Sequence, residues 1–123
     1  MVRKSRFSKN GLTGVVLMSP GVVSRVETST SEDNRELGIL VSNRSAAELV
    51  GNEVMGNLLG GIVVKGEQTR AEVSNNTVTK NKKAGIMVDR RASLLRFENN
   101  RSTENEGVQV ELKAVLDAEQ DDP

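Results

Sequence analysis

A glycine followed by a short aliphatic run recurs five times along the chain, at Gly14-Val15-Val16-Leu17, Gly38-Ile39-Leu40-Val41, Gly61-Ile62-Val63-Val64, Gly85-Ile86-Met87-Val88 and Gly107-Val108-Gln109-Val110. The glycines stand 24, 23, 24 and 22 residues apart. A helical repeat would carry apolar residues at three- and four-residue spacing through the stretches between. Here each run is β-branched and closed by polar turn residues, which predicts one strand per repeat. A period of this length marks a solenoid, because one repeat cannot bury its apolar face alone and a stack of several can.

Asparagines follow the same period. Asn10, Asn34, Asn57, Asn81 and Asn105 precede the five glycines, by four residues in the first four repeats and by two in the last. A second column, Asn52, Asn76 and Asn100, lies five residues before the first, with Ser5 and Ser29 in its place in the two opening repeats. Asparagine tolerates the left-handed backbone region and hydrogen-bonds neighbouring chain, so both columns suit corners. Stacked in register, identical Asn amides can also bond one another along the axis.

Two further strands fit between the columns. Val26, Leu49, Val73 and Phe97 stand three residues before the second column, each preceded two residues earlier by Ser24, Ala47, Ala71 or Leu95, an alternation that predicts a half-buried strand. Phe7, Ser31, Val54, Val78 and Ser102 mark a third, shorter one. The expected fold is therefore all-β, a parallel β-helix of about five coils with three short strands and three corners each. Strands of successive coils would lie side by side at about 4.8 Å, giving a stack about 24 Å long. Its interior would hold Val15, Leu17, Ile39, Val41, Ile62, Val64, Ile86, Val88, Val108 and Val110 with the apolar residues of the other two strands. The β-helix is expected to span residues 1–112. Residues 113–123 form a capping segment, through Val115 and Leu116, and an acidic tail.

Composition narrows function by exclusion. The chain has neither cysteine nor histidine, which removes disulfides, thiol nucleophiles, imidazole-dependent catalysis and the usual zinc ligands. Lys plus Arg and Asp plus Glu both total 17, and without a net basic charge neither nucleic acid nor an anionic membrane is an expected partner. Charge is nonetheless polarised: Arg3, Lys4, Arg6 and Lys9 open the chain, and Asp117, Glu119, Asp121 and Asp122 close it. No apolar run approaches the roughly 18 to 20 residues of a membrane-spanning helix, and no secretory signal or other address is legible.

The units Asn76-Thr77-Val78 with Asn81 and Gly85-Ile86-Met87-Val88, echoed by Asn52-Glu53-Val54 with Asn57 and Gly61-Ile62-Val63-Val64, resemble the parallel β-helix repeat of pectin-lyase-like proteins. The resemblance covers roughly residues 5 to 112. It implies a right-handed winding, a carbohydrate-directed activity and an extracytoplasmic setting. It transfers no catalytic residue, since no active-site motif of the family is present to map, and the superfamily spans lyases, hydrolases, epimerases and non-enzymatic solenoids.

In the enzymes that the repeat resembles, substrate runs over the outer face of the glycine-initiated strand. The outward positions here are Val16, Leu40, Val63, Met87 and Gln109, four of them apolar and unsuited to ionising a base or stabilising an oxocarbenium ion. Such a stripe marks a protein contact or a surface covered by the chain's own tail. With no Trp or Tyr and only two Phe, sugar or base stacking has little to use. Paired carboxylates occur at Glu32 with Asp33 and at Glu104 with Glu106, and Glu48 and Glu72 are expected to form a charge ladder between Arg25 and Arg96. These are read as solvated surface charge. Three glycosylation triplets, at Asn43, Asn75 and Asn100, are ones that an Asn-rich solenoid generates by accident.

The leading expectation is a non-catalytic module that self-associates or binds a protein partner through Val16, Leu40, Val63 and Met87, with no metal or cofactor. The alternative is a carbohydrate-active protein that binds or cleaves polysaccharide with polar loops around Asp89, Arg90 and Arg91. A basic, uncapped first coil leaves open association with another chain or origin in a longer solenoid.

Overall fold

The computed structural model describes residues 1–112, and every strand in that span is parallel to its neighbours. The first coil is β1 (Val2–Arg3), β2 (Arg6–Ser8) and β3 (Val15–Leu17); the second is β4 (Val23–Glu27), β5 (Thr30–Glu32) and β6 (Leu37–Val41). The third holds β7 (Ala46–Val50), β8 (Glu53–Met55) and β9 (Gly60–Val64), and the fourth β10 (Arg70–Ser74), β11 (Thr77–Thr79) and β12 (Ala84–Val88). The last is β13 (Ser93–Glu98), β14 (Arg101–Thr103) and β15 (Val108–Leu112). Three five-stranded sheets result: sheet A from β1, β4, β7, β10 and β13, sheet B from β2, β5, β8, β11 and β14, and sheet C from β3, β6, β9, β12 and β15. The proposed capping segment and tail, 113–123, lie outside the described residues.

The expected core is the observed one through four coils. Ile39, Val41, Ile62, Val64, Ile86 and Val88 from sheet C meet Val26, Leu49 and Val73 from sheet A and Val54 and Val78 from sheet B, all essentially inaccessible to water. Phe7, Leu17 and Phe97 pack against this cluster and are only partly covered.

Both Asn columns form continuous ladders. Asn57 is typical: its Oδ1 accepts from the backbone N–H of Asn34 at 3.0 Å and from Asn34 Nδ2 at 2.9 Å, and its own Nδ2 donates to Asn81 Oδ1 at 2.9 Å. The same amide also donates to Ser31 O. The second ladder runs through Ser5, Ser29, Asn52, Asn76 and Asn100. The left-handed residue of each corner is not the ladder Asn, however, but the one before it. Lys9, Asp33, Gly56, Lys80 and Glu104 hold positive φ at one corner, and Lys4, Thr28, Gly51, Asn75 and Asn99 at the other. Asparagine is required for its amide and not for its backbone freedom.

The glycine column has a steric cause. A Cβ on Gly61 would run into Val78 Cγ1 and would sit 2.6 Å from Gly85 O and 2.9 Å from Asn81 Nδ2, atoms of the next coil. Each coil therefore leaves room for the one above it.

Two expectations fail in the last coil. The register pairs Ala84 with Val108, Ile86 with Val110 and Met87 with Glu111, so the last strand is displaced by two residues from the glycine alignment. Gly107 lies against Lys83, Gln109 takes the place of the column glycine, and Val108 is exposed. The four-residue step from Asn to the column is thereby kept, 105 to 109. The expectation followed the glycine where the ladder sets the register. Second, a bulge between Ala71 and Glu72 and their partners turns Leu94 into the core and Leu95 out of it, where Leu95 had been expected to point inward.

Candidate interaction face

Strand alternation on sheet C places Val16, Leu40, Val63 and Met87 outward, and the register stacks them on four successive coils. The fifth place in the row belongs to Glu111 and not to the expected Gln109. Val16 is exposed and the other three apolar residues are half-buried by one another. The row is thus a straight aliphatic ridge with a carboxylate at its far end.

The structure adds apolar residues that strand periodicity could not reveal, because they sit in the corners. Leu12, Leu58 and Leu59 lie at the corner that leads into sheet C, and Met18 and Val22 at the corner that leaves it; all five are exposed. Backbone hydrogen bonds from Glu36 N to Leu12 O and from Leu59 N to Glu36 O stack the first of these corners directly. The signal available in the sequence was the Leu58-Leu59 pair between an Asn and a Gly, where the second and fourth repeats carry Arg35-Glu36 and Lys82-Lys83.

At the leaving corner, Val63, Val64, Lys65, Met87, Val88 and Asp89 line a shallow groove of about 210 Å³. Asp89 is half-buried, and its Oδ2 accepts a long hydrogen bond, 3.4 Å, from Gly66 N in the coil below. Arg90 and Arg91 are exposed on the turn that follows. The structure thus brings Asp89 to the edge of the apolar row, while Arg90 and Arg91 are not among the groove's lining.

The charges on the outer face of sheet A engage each other. Arg25 donates to Glu27 at 3.1 Å and to Glu48 at 3.3 Å, and these two hydrogen bonds, Glu27's the stronger, hold its guanidinium above the usual range. At the other end of the expected charge ladder Arg96 pairs with Glu98 and not with Glu72, which accepts from Ser74. On sheet B Glu32 pairs with Arg6. Among the described residues no three Asp or Glu side chains converge to hold a metal ion.

No curated protein and no solved structure matches the chain. A family model described as the right handed beta helix region matches residues 1–116, nearly the whole chain and all fifteen strands. With its three parallel sheets and two amide ladders wound in that sense, the chain belongs to the right-handed β-helix family.

Proposed function

We propose that this chain is a non-catalytic interaction module whose working surface is the outer face of sheet C, and that the surface pairs with the same surface of a second copy. The observation that carries this reading is the row Val16, Leu40, Val63 and Met87, four coils long and free of charge until Glu111. A row of aliphatic side chains repeating every 4.8 Å or so is self-complementary when turned end for end, as a two-fold interface requires. Leu12, Leu58, Leu59 and Met18 widen it at the corners.

Size sets the strength. The face is about 24 Å along the stack and about 17 Å across, or about 400 Å² per partner, below the roughly 800 Å² per partner of a standard stable interface. The expected behaviour is therefore a monomer–dimer equilibrium that responds to concentration. Light scattering over a dilution series tests it: the mass rises toward that of a dimer in the unmodified chain and stays monomeric in Val63→Glu or Met87→Glu, with circular dichroism unchanged. A concentration-independent monomer overturns the proposal.

The polar turn that carries Asp89 with the exposed Arg90 and Arg91 supports a second reading, a polysaccharide ligand, in keeping with the resemblance to pectin-lyase-like proteins. Saturable glycan binding that is lost in Asp89→Ala would support it; silence across a broad glycan panel would remove it.

A further inference from the structure

In each of the first four coils a ladder Asn donates its backbone N–H and its side-chain Nδ2 to the Oδ1 of the Asn one coil further on. The polarity is uniform, so the last coil must present two donors and the first coil an acceptor. Asn105 is that last donor, and its position is buried. Its needs are met from within the same coil: Gln109 Oε1 accepts from Asn105 N at 3.0 Å and from Asn105 Nδ2 at 2.9 Å. Gln109 Nε2 closes the clasp by donating to Asn105 O at 2.8 Å.

This is possible only because Gln109 stands in the glycine column. In every earlier coil a side chain at that place would meet the coil above: a Cβ on Gly85 would touch Ser102 Oγ and Gln109 O and would come within about 2.5 Å of Asn105 Nδ2. A sixth coil in register would meet Gln109 in the same way. The side chain thus does two things at once. It supplies the acceptor that another coil's Asn would bring, and it fills the space which that coil would occupy.

The first coil keeps the complementary half. Asn10 is exposed, and its Oδ1 accepts no hydrogen bond among the described residues. The first coil of one copy therefore carries the acceptor that the last coil of another copy would use in head-to-tail stacking, the arrangement that turns a solenoid into a filament.

We propose that Gln109 is an assembly stop: it occupies the donor site of Asn105 and so prevents the first coil of a second copy from docking on the last coil of this one. The proposal is independent of the lateral face on sheet C, since the two contacts lie along different axes and are separable by mutation.

The test is the solution mass and particle length of the full chain carrying Gln109→Gly, which restores the column glycine and exposes the Asn105 donors. End-to-end particles are expected, with mass increasing at least about twofold over the unmodified chain at equal concentration and length growing in steps of about 24 Å. They should persist in a Met87→Glu background and disappear when Asn10→Leu removes the acceptor. Gln109→Glu keeps an acceptor for Asn105 and should keep the stop. Amide exchange provides a second readout. Asn100 ends the other ladder with no such clasp among the described residues, so the Asn105 N–H should exchange more slowly than that of Asn100, and the difference should vanish in Gln109→Ala. A folded Gln109→Gly chain of unchanged mass, particles insensitive to Asn10→Leu, or equal exchange at Asn100 and Asn105 in the unmodified chain would overturn the proposal.

Discussion

A buried Asn in this fold is a connector. The Asn57 side chain makes four hydrogen bonds, accepting from the backbone and side chain of Asn34 and donating to Ser31 O and Asn81 Oδ1. Removing it strands the buried backbone N–H of Asn34 without an acceptor, which is the costly kind of loss because the group can reach no water. Asn57→Ala is expected to destabilise the chain by about 2–3 kcal/mol, read as a lower urea midpoint at constant slope. Asp in the same place should do worse than its shape suggests, because it keeps the acceptor, loses the donor and adds a charge at a site that water does not reach. Glycine at 61 has the opposite logic, being needed for what it lacks, since the next coil occupies the volume of a Cβ.

Among the elements, the sheets differ in what their outer faces can do. Sheet A presents ion pairs, Arg3 with Glu27, Arg25 with Glu27 and Glu48, and Arg96 with Glu98. Exposed pairs of this kind add little net stability because water already solvates both partners well. Arg25→Ala should therefore leave the urea midpoint within experimental scatter, and a large fall would show that sheet A relies on charge where it is expected to rely on Val26, Leu49 and Val73. On sheet C, by contrast, the outward row from Val16 to Met87 is aliphatic, and it is the face proposed for contact with another surface. Sheet B is the narrowest, three residues per strand, and its corners carry the ladders that hold the coils in register.

Taken whole, the molecule is a one-dimensional stack in which each coil touches only its neighbours, so position along the axis decides what a residue contributes. Ile62, in the third coil, is fully covered from both sides, whereas Val110 lies opposite Ile86 in the last coil and remains exposed. Truncating the first should cost about 2–5 kcal/mol and the second under about 1 kcal/mol, although both belong to the same inward row. Chemical denaturation of Ile62→Ala and Val110→Ala compares them directly; equal losses would mean that the last coil is as well covered as the centre. The stop proposed for Gln109 belongs to this scale as well, because the clasp with Asn105 sits at the end of the described stack.

Most of the architecture was legible in the residues because a solenoid repeats one local solution. The period of 23 to 24, the three strands per coil, the two ladders and the inward rows from Val15 to Val88 all follow from spacing, since the same contacts recur wherever the same residues do. The ridge of Val16, Leu40, Val63 and Met87 was legible for the same reason, as the other face of an alternating strand. What repetition could not reveal lies where the repeat breaks. Gly107 looked like the fifth column glycine, but register is fixed by strand pairing with the preceding coil, which sets Val108 opposite Ala84 and Val110 opposite Ile86 and so leaves Gln109 in the column. Leu94 and Leu95 are interchangeable to a periodic argument, and only the bulge beside Ala71 decides which is buried. Leu12, Leu58 and Leu59 join the apolar face through corner geometry, to which the inward–outward alternation of a strand does not apply. Sequence thus determined the coil, because the coil is a local and repeated minimum; tertiary structure decided the ends and corners, because their contacts are made once, between residues that no spacing rule connects.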